Sequence, residues 1–401
     1  MSSILLNNKV NLAVKKPIYY LYFIFIFFPY ISFVNLGTDM QPYALLLSLL
    51  LFFLFRKSFT HEQVLIGLFF LSSVFILFIS GLSFISMRSF FNYASLFFVS
   101  YIVFKVLKTE RINFESFLKI AILVWFAVGL LQTIFDKTLL NFLISGSRTT
   151  DNRGVVGLAP EPTFYGIVFI FLIMFVLLSN VKNKVFYISL CVVGIVFLAK
   201  SSMAFLFLFI FLFYYLLTHA NFKYILISTV ALFLTPIAVS NLLEGSRLAF
   251  LLNRLIDDPT KLVLFDASLN DRFFHVYFSM KGFFTNFMIP NGYSSWNGYV
   301  SSQLPQYLDY VIIEWFSVGG RIMSGYGAAF YELGLFSLLI PLVILKLTYN
   351  LFYDDLKKFF LYFLFINTIM FSAIPIGFSF FAFFIGYLGY LGWKKNRSGY
   401  V

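Results

Sequence analysis

The chain has 401 residues, of which 61% are apolar, 22% aromatic and only 11% charged. A soluble domain carries about 25% charged residues, so this composition excludes a soluble enzyme, a disordered chain and a nucleic-acid-binding domain with a wet basic face. The net charge of +12 is read by location, because in a helical membrane protein the placement of charge matters more than its sum.

A helix needs about 20 apolar residues to cross roughly 30 Å of hydrocarbon. Twelve segments are candidates: Ile18–Leu36, Tyr43–Phe55, Val64–Ser80, Ser89–Val106, Phe117–Phe135, Thr163–Val181, Val185–Ala199, Met203–Thr218, Tyr224–Val239, Gly325–Leu345, Phe359–Phe371 and Ile374–Trp393. The expected fold is an all-α polytopic membrane protein with about twelve transmembrane helices. The first apolar run follows Lys9, Lys15 and Lys16 and ends without a small-residue cleavage site, so it is read as a span. With both termini cytoplasmic, the inside loops hold 18 bases against five acids, and the outside holds 11 bases against 12 acids. Every short inside loop then carries a base, as the positive-inside rule expects.

Two outside loops are long. One runs from Asp136 to Pro162 and the other from about Ser240 to Ser324. Three regions follow: residues 1–239 with nine helices and the loop 136–162, a large extracytoplasmic loop 240–324, and residues 325–401 with three helices and a cytoplasmic tail. Within the large loop, Glu244–Ile256 has helical apolar spacing and reads as an interfacial helix. Asn270–Phe284 reads as a second helix with Asn270 at its N-cap, and Pro290-Asn291-Gly292 as a turn. No internal repeat is visible, which counts against a transporter built from paired halves.

The bases divide by type. Inside are 3 arginines and 15 lysines; outside are 7 arginines and 4 lysines. Arginine grips phosphate and carboxylate with a planar fork, whereas lysine is a point charge. Arg148, Arg153, Arg247, Arg254, Arg272 and Arg321 lie in or at the edge of the long loops, and as a set they point to a pocket for an anionic group. Each singly can also snorkel to headgroups or pair with the outside acids. Glu161 stands between two prolines at the start of the sixth span, where a carboxylate is favoured by the helix dipole. It reads equally as a general base, as an anchor for a sugar hydroxyl or an arginine, or as helix-start electrostatics. Glu332 lies within a span, where carboxylates are costly and functional by default; the alternative is a structural partner for an outside arginine. His275 lies one turn beyond Arg272. Tyr293, Trp296 and Tyr299 are candidates for stacking on sugars, and Asp39 is read as an isolated loop residue. One cysteine, Cys191, and three scattered histidines give neither a disulfide framework nor a metal site.

Three stretches, Arg153–Gly166 (RGVVGLAPEPTFYG), Asp271–Trp296 (DRFFHVYFSMKGFFTNFMIPNGYSSW) and Tyr326–Ile344 with its Glu-Leu-Gly, resemble in order the motifs of the bacterial Wzy-type O-antigen or capsule polymerases, in the superfamily that also contains the O-antigen ligases. The motifs cover about 60 residues. The ligases place a histidine at the start of the span after the large loop, where this chain has Arg321-Ile-Met-Ser324-Gly325, which favours a polymerase. The resemblance implies a GT-C-like architecture in the bacterial plasma membrane and a glycosyltransferase working without metal or cofactor. It implies an undecaprenyl-pyrophosphate-linked oligosaccharide as substrate, with a flippase and a chain-length regulator in the same membrane. Arg153, Arg272 and Glu161 would be catalytic. Arg148, Arg247, Arg254, Arg321, His275, Glu332 and Tyr165 would bind substrate. A lipid-linked oligosaccharide flippase or transporter is the competing class, and a ligase-type transferase that attaches glycan to another acceptor is a third reading.

Overall fold

A computed structural model describes residues 16–34, 38–55, 58–109, 112–149, 153–219, 253–254, 262–314, 316, 321–372 and 374–398. Among these residues the protein is all helical, with one isolated antiparallel bridge between Ile31 and Ile144. The helices are α1 (Lys16–Phe27), α2 (Tyr43–Leu54), α3 (His61–Ser80), α4 (Phe84–Lys108), α5 (Phe114–Ile134), α6 (Pro162–Leu178), α7 (Lys184–Val193), α8 (Ser202–His219), α9 (Ala267–Thr285), α10 (Trp296–Gln303), α11 (Gly325–Leu333), α12 (Leu339–Phe352), α13 (Leu356–Met370) and α14 (Ser379–Ser398). A four-residue turn, Leu262–Phe265, precedes α9. Eleven of the expected segments fall on these helices; Tyr224–Val239 lies outside the described residues.

By length and apolar composition, four helical stretches can cross a bilayer: α3, α4, α5 and Gly325–Phe352. Several other apolar helices are shorter than a full span, among them α1, α2 and α6. Large apolar side chains such as Phe53, Phe78 and Phe84 stand exposed. That surface has the character of a lipid-facing one.

Contacts divide the chain into two compact units, with two of the four divisions falling inside α4 and α8 and the others before α3 and at the start of α14. The first comprises residues 1–57, 98–208 and 379–401. Its centre is α6, buried on every side from Pro162 to Val176, as expected of a helix that is apolar all round. Phe175 at the end of α6 packs on Phe383 (ring centroids 5.1 Å apart), Phe383 on Phe27 (5.0 Å), and Phe114 on Tyr387 (4.9 Å). These edge-on and tilted contacts join α1, α5, α6 and α14.

The second unit comprises residues 58–97 and 209–378. Here α3 starts with a capping box: Thr60 accepts from the backbone of Gln63, and the Gln63 side chain accepts from the backbone of Thr60. The helix α9 begins three residues before the expected start, because Asp266 caps it by accepting from the Leu269 amide at 2.8 Å. Asn270 is therefore inside the helix and fully buried. Its amide donates to the Tyr310 carbonyl (2.7 Å) and accepts from the Ile312 amide (3.0 Å), which ties the 310–312 segment to α9. The expected interfacial helix 244–256 is described only at residues 253–254, which are helical.

Candidate functional site

In the first unit, the loop between α5 and α6 builds a charged cluster. The α1–α2 connection pairs with it: the Ser32 amide donates to the Leu143 carbonyl (2.8 Å), beside the Ile31–Ile144 bridge. A local turn, with Thr38 donating to the Met40 carbonyl and the Gln41 amide to Thr38, presents Asp39. Across from it, the Arg148 amide donates to the Pro160 carbonyl at 2.7 Å, which sets Arg148 beside Glu161. The Arg148 guanidinium then bridges two acids, with Nη2 3.0 Å from Asp39 and Nε 2.9 Å from Glu161. The side chains are 52%, 22% and 18% exposed for Arg148, Asp39 and Glu161, so the cluster is open to solvent. Burial opposes the guanidinium charge, but hydrogen bonds and opposite charges from Asp39 and Glu161 outweigh it and raise the Arg148 pKa.

The rest of the loop is irregular but buried from Gly154 to Pro160, and neighbours bond several of its backbone groups, as a buried segment requires. Gln132, fully buried on α5, accepts from the Gly157 amide (2.7 Å) and donates to the carbonyls of Gly157 (2.9 Å) and Leu139 (2.7 Å). Gly157 has φ +59° and lies under the Tyr165 ring, so a side chain there is excluded twice. The end of α7 continues as a π-helix, Gly194–Ala199. It leaves the Leu198 carbonyl to accept from the Val155 amide at 3.0 Å. Lys137 donates to the Arg153 carbonyl (2.8 Å) and Thr149 to the Gly154 carbonyl (2.9 Å), so half-buried Arg153 sits on a pinned backbone.

The structure therefore brings Arg148 and Glu161 together and adds Asp39, which the sequence reading left isolated. It changes the expected role of Arg148. With two carboxylates on one guanidinium, Arg148 acts as a clamp on acids, and an incoming phosphate would have to displace them. Tyr165 is fully buried and donates to the Trp125 carbonyl at 3.0 Å. It is a packing residue, and its hydroxyl is already used.

In the second unit, Arg272 lies half-buried on α9, and Arg254 and Arg321 are half-buried as well. Arg247 lies outside the described residues. His275 is fully buried. Its ring is stacked against Phe316 (4.9 Å) and Trp296 (5.6 Å), with Nε2 3.3 Å from Asp271. Such a ring is a core element and does not meet a substrate. Tyr293 and Trp296 are likewise buried, Tyr293 donating to the Ser73 carbonyl at 2.8 Å. Neither offers a face to a sugar.

Among the described residues Glu332 pairs with hydroxyls and not with an arginine: Ser89 donates to Oε1 (2.9 Å) and Tyr93 to Oε2 (2.5 Å). It sits next to a break that the sequence reading missed. The span Gly325–Phe352 changes from α-helix to a 3₁₀ stretch, Gly334–Leu338, before α12. Gly334 has φ +55° and ψ −137°. The expected Pro290-Asn291-Gly292 turn serves this break. The amides of Asn291 and Gly292 donate to the carbonyls of Tyr331 (3.1 Å) and Glu332 (3.2 Å), and the Leu335 amide donates to Met288 (2.9 Å). The Gly in Glu-Leu-Gly was the available signal. Among the described residues, no three His, Cys, Asp or Glu side chains gather as metal ligands.

Compared with protein-family models, curated proteins and solved structures, the chain matches none.

Proposed function

We propose that the protein is a glycosyltransferase of the bacterial plasma membrane that polymerises lipid-linked oligosaccharide repeat units at the outer face, both termini being cytoplasmic. The observation that carries this reading is the open Asp39–Arg148–Glu161 cluster at the entry to α6, whose Glu161 lies in the stretch that resembles the polymerase motif. Lipid pyrophosphate is a good leaving group. The reaction breaks the sugar C1–O bond to pyrophosphate and forms a C1–O bond to an acceptor hydroxyl. The hydroxyl proton passes to a carboxylate, and the pyrophosphate leaves on its lipid. The cluster suits the acceptor side: Glu161, oriented by Arg148, accepts the hydroxyl hydrogen bond and then the proton. Stabilisation of the departing pyrophosphate falls to an arginine outside the cluster, with Arg153 the assignment in this unit; Arg272, and Arg254 and Arg321 as further candidates, are carried over from the resemblance alone.

The test is a glycan gel from a deletion strain carrying each variant. Glu161→Gln, Arg153→Ala and Arg272→Ala are expected to leave single repeat units and no ladder. Normal ladders in all three would sink the assignment. Long chains retained on the lipid carrier in the deletion strain would instead identify a ligase.

A flippase reading gains one observation: the broken span with a buried carboxylate at Glu332 is the kind of hardware that transporters use. Accumulation of lipid carrier on the inner leaflet of the deletion strain would favour it.

A further inference from the structure

The end of the first unit opposite the charged cluster carries a second feature. A five-residue link joins α4 to α5, and α5 runs 21 residues, or about 30 Å, before the loop that holds Arg148. At the near end, the last turns of α4 and α14 lie side by side. Trp393 is their common surface: the Lys108 ammonium lies 4.6 Å from its ring centroid and the Arg397 guanidinium 5.2 Å. Lys105 is buried along its stem, 7% exposed, with its ammonium 5.1 Å from the Tyr101 ring. Lys394 and Lys395 follow Trp393 directly. Tyr387, Tyr390 and Trp393 form a stacked column along α14 (6.4 and 6.2 Å), the arrangement of an interfacial aromatic belt.

The positive-inside tendency accounts for bases at this end. It does not require two of them to share one indole. Cations held against a ring have lost much of their rotamer freedom before any ligand arrives, so less is lost when one binds. We propose that the paired C-terminal turns of α4 and α14 form a binding site for the phosphate headgroup of an anionic phospholipid, with Lys108 and Arg397 on the phosphate and Trp393 beneath it in the interface. Clustered bases at the mouth between transmembrane helices have the chemistry for such headgroups. The proposal is independent of the polymerase reading.

The test uses the full-length protein in a non-ionic detergent, titrated with short-chain phosphatidylglycerol, short-chain phosphatidylcholine or inorganic phosphate, with the thermal midpoint as readout. Phosphatidylglycerol is expected to raise the midpoint and the other two to leave it. Lys108→Gln with Arg397→Gln should weaken the phosphatidylglycerol response about thirtyfold in concentration. Lys119→Gln with Lys182→Gln, an equal charge change in the same unit, should leave it unchanged. Lys108→Arg should keep it. The unliganded midpoint of each variant reports whether it is folded. An equal loss in both double variants would mean diffuse attraction and overturn the site. An equal response to inorganic phosphate would mean a free-anion site and overturn the lipid assignment.

Discussion

At the scale of residues, the loop before α6 depends on two side chains that hold it in different ways. Gln132 uses both ends of its amide on the backbone of buried Gly157 and donates also to the Leu139 carbonyl. Gln132→Leu leaves those groups unsatisfied in the interior, and the thermal midpoint of the purified protein should fall by an amount equivalent to about 3 kcal/mol. Arg148 is half-exposed, so its contribution to stability is small, about 1 kcal/mol or less. Its contribution to function is geometric. A lysine at 148 cannot offer two nitrogens to two carboxylates at once, and Arg148→Lys should shorten the glycan ladder while the midpoint stays within about 2 °C of the parent. A parent-length ladder would show that bridging is not required. Sequence alone makes Glu161 visible, because a carboxylate between two prolines at a helix entry is locally odd. It leaves Asp39 and Gln132 invisible. Asp39 meets Arg148 across 109 residues, and a lone glutamine in an apolar helix has no local signature that marks a clamp.

At the scale of elements, apolar run length and flanking charge locate the helices well, because both are local properties. Breaks inside a span are harder, since a run of apolar residues looks the same whether or not its backbone bonds are continuous. The span around Glu332 reads as one helix in the sequence but stops at Gly334, where the 288–292 turn takes over its carbonyls. A side chain at this φ is strained, and its Cβ would meet the Met288 backbone. Gly334→Ala should therefore cost about 2–3 kcal/mol, seen as a lower thermal midpoint and as greater protease sensitivity near residue 290. The cap of α3 gives a smaller effect: Thr60→Ala removes the box and should cost about 1 kcal/mol. The same separation in sequence explains the misplaced start of α9. Asp266 and Asn270 are both credible caps in isolation, and only the partners of Asn270 at Tyr310 and Ile312 decide between them.

At the scale of the molecule, the shortage of charge that accompanies helices apolar enough to cross a bilayer also concentrates its chemistry. Within the first unit, one end of α5 carries the Asp39–Arg148–Glu161 cluster and the other a set of lysines and Arg397. A cysteine at each end reports the orientation. Cys191 is fully buried and can remain. Asn396→Cys should react with an impermeant thiol reagent only in opened cells, and Thr138→Cys in intact spheroplasts. The reverse pattern would invert the topology and remove the cluster from the outer face. The most direct measurement places the purified protein in lipid vesicles with one synthetic lipid-pyrophosphate oligosaccharide and reads product length by gel. Polymerisation predicts a ladder of multiples of the repeat with release of lipid pyrophosphate, and a single unextended band with Glu161→Gln. Unextended substrate with the parent protein, together with its transfer between leaflets, would contradict it.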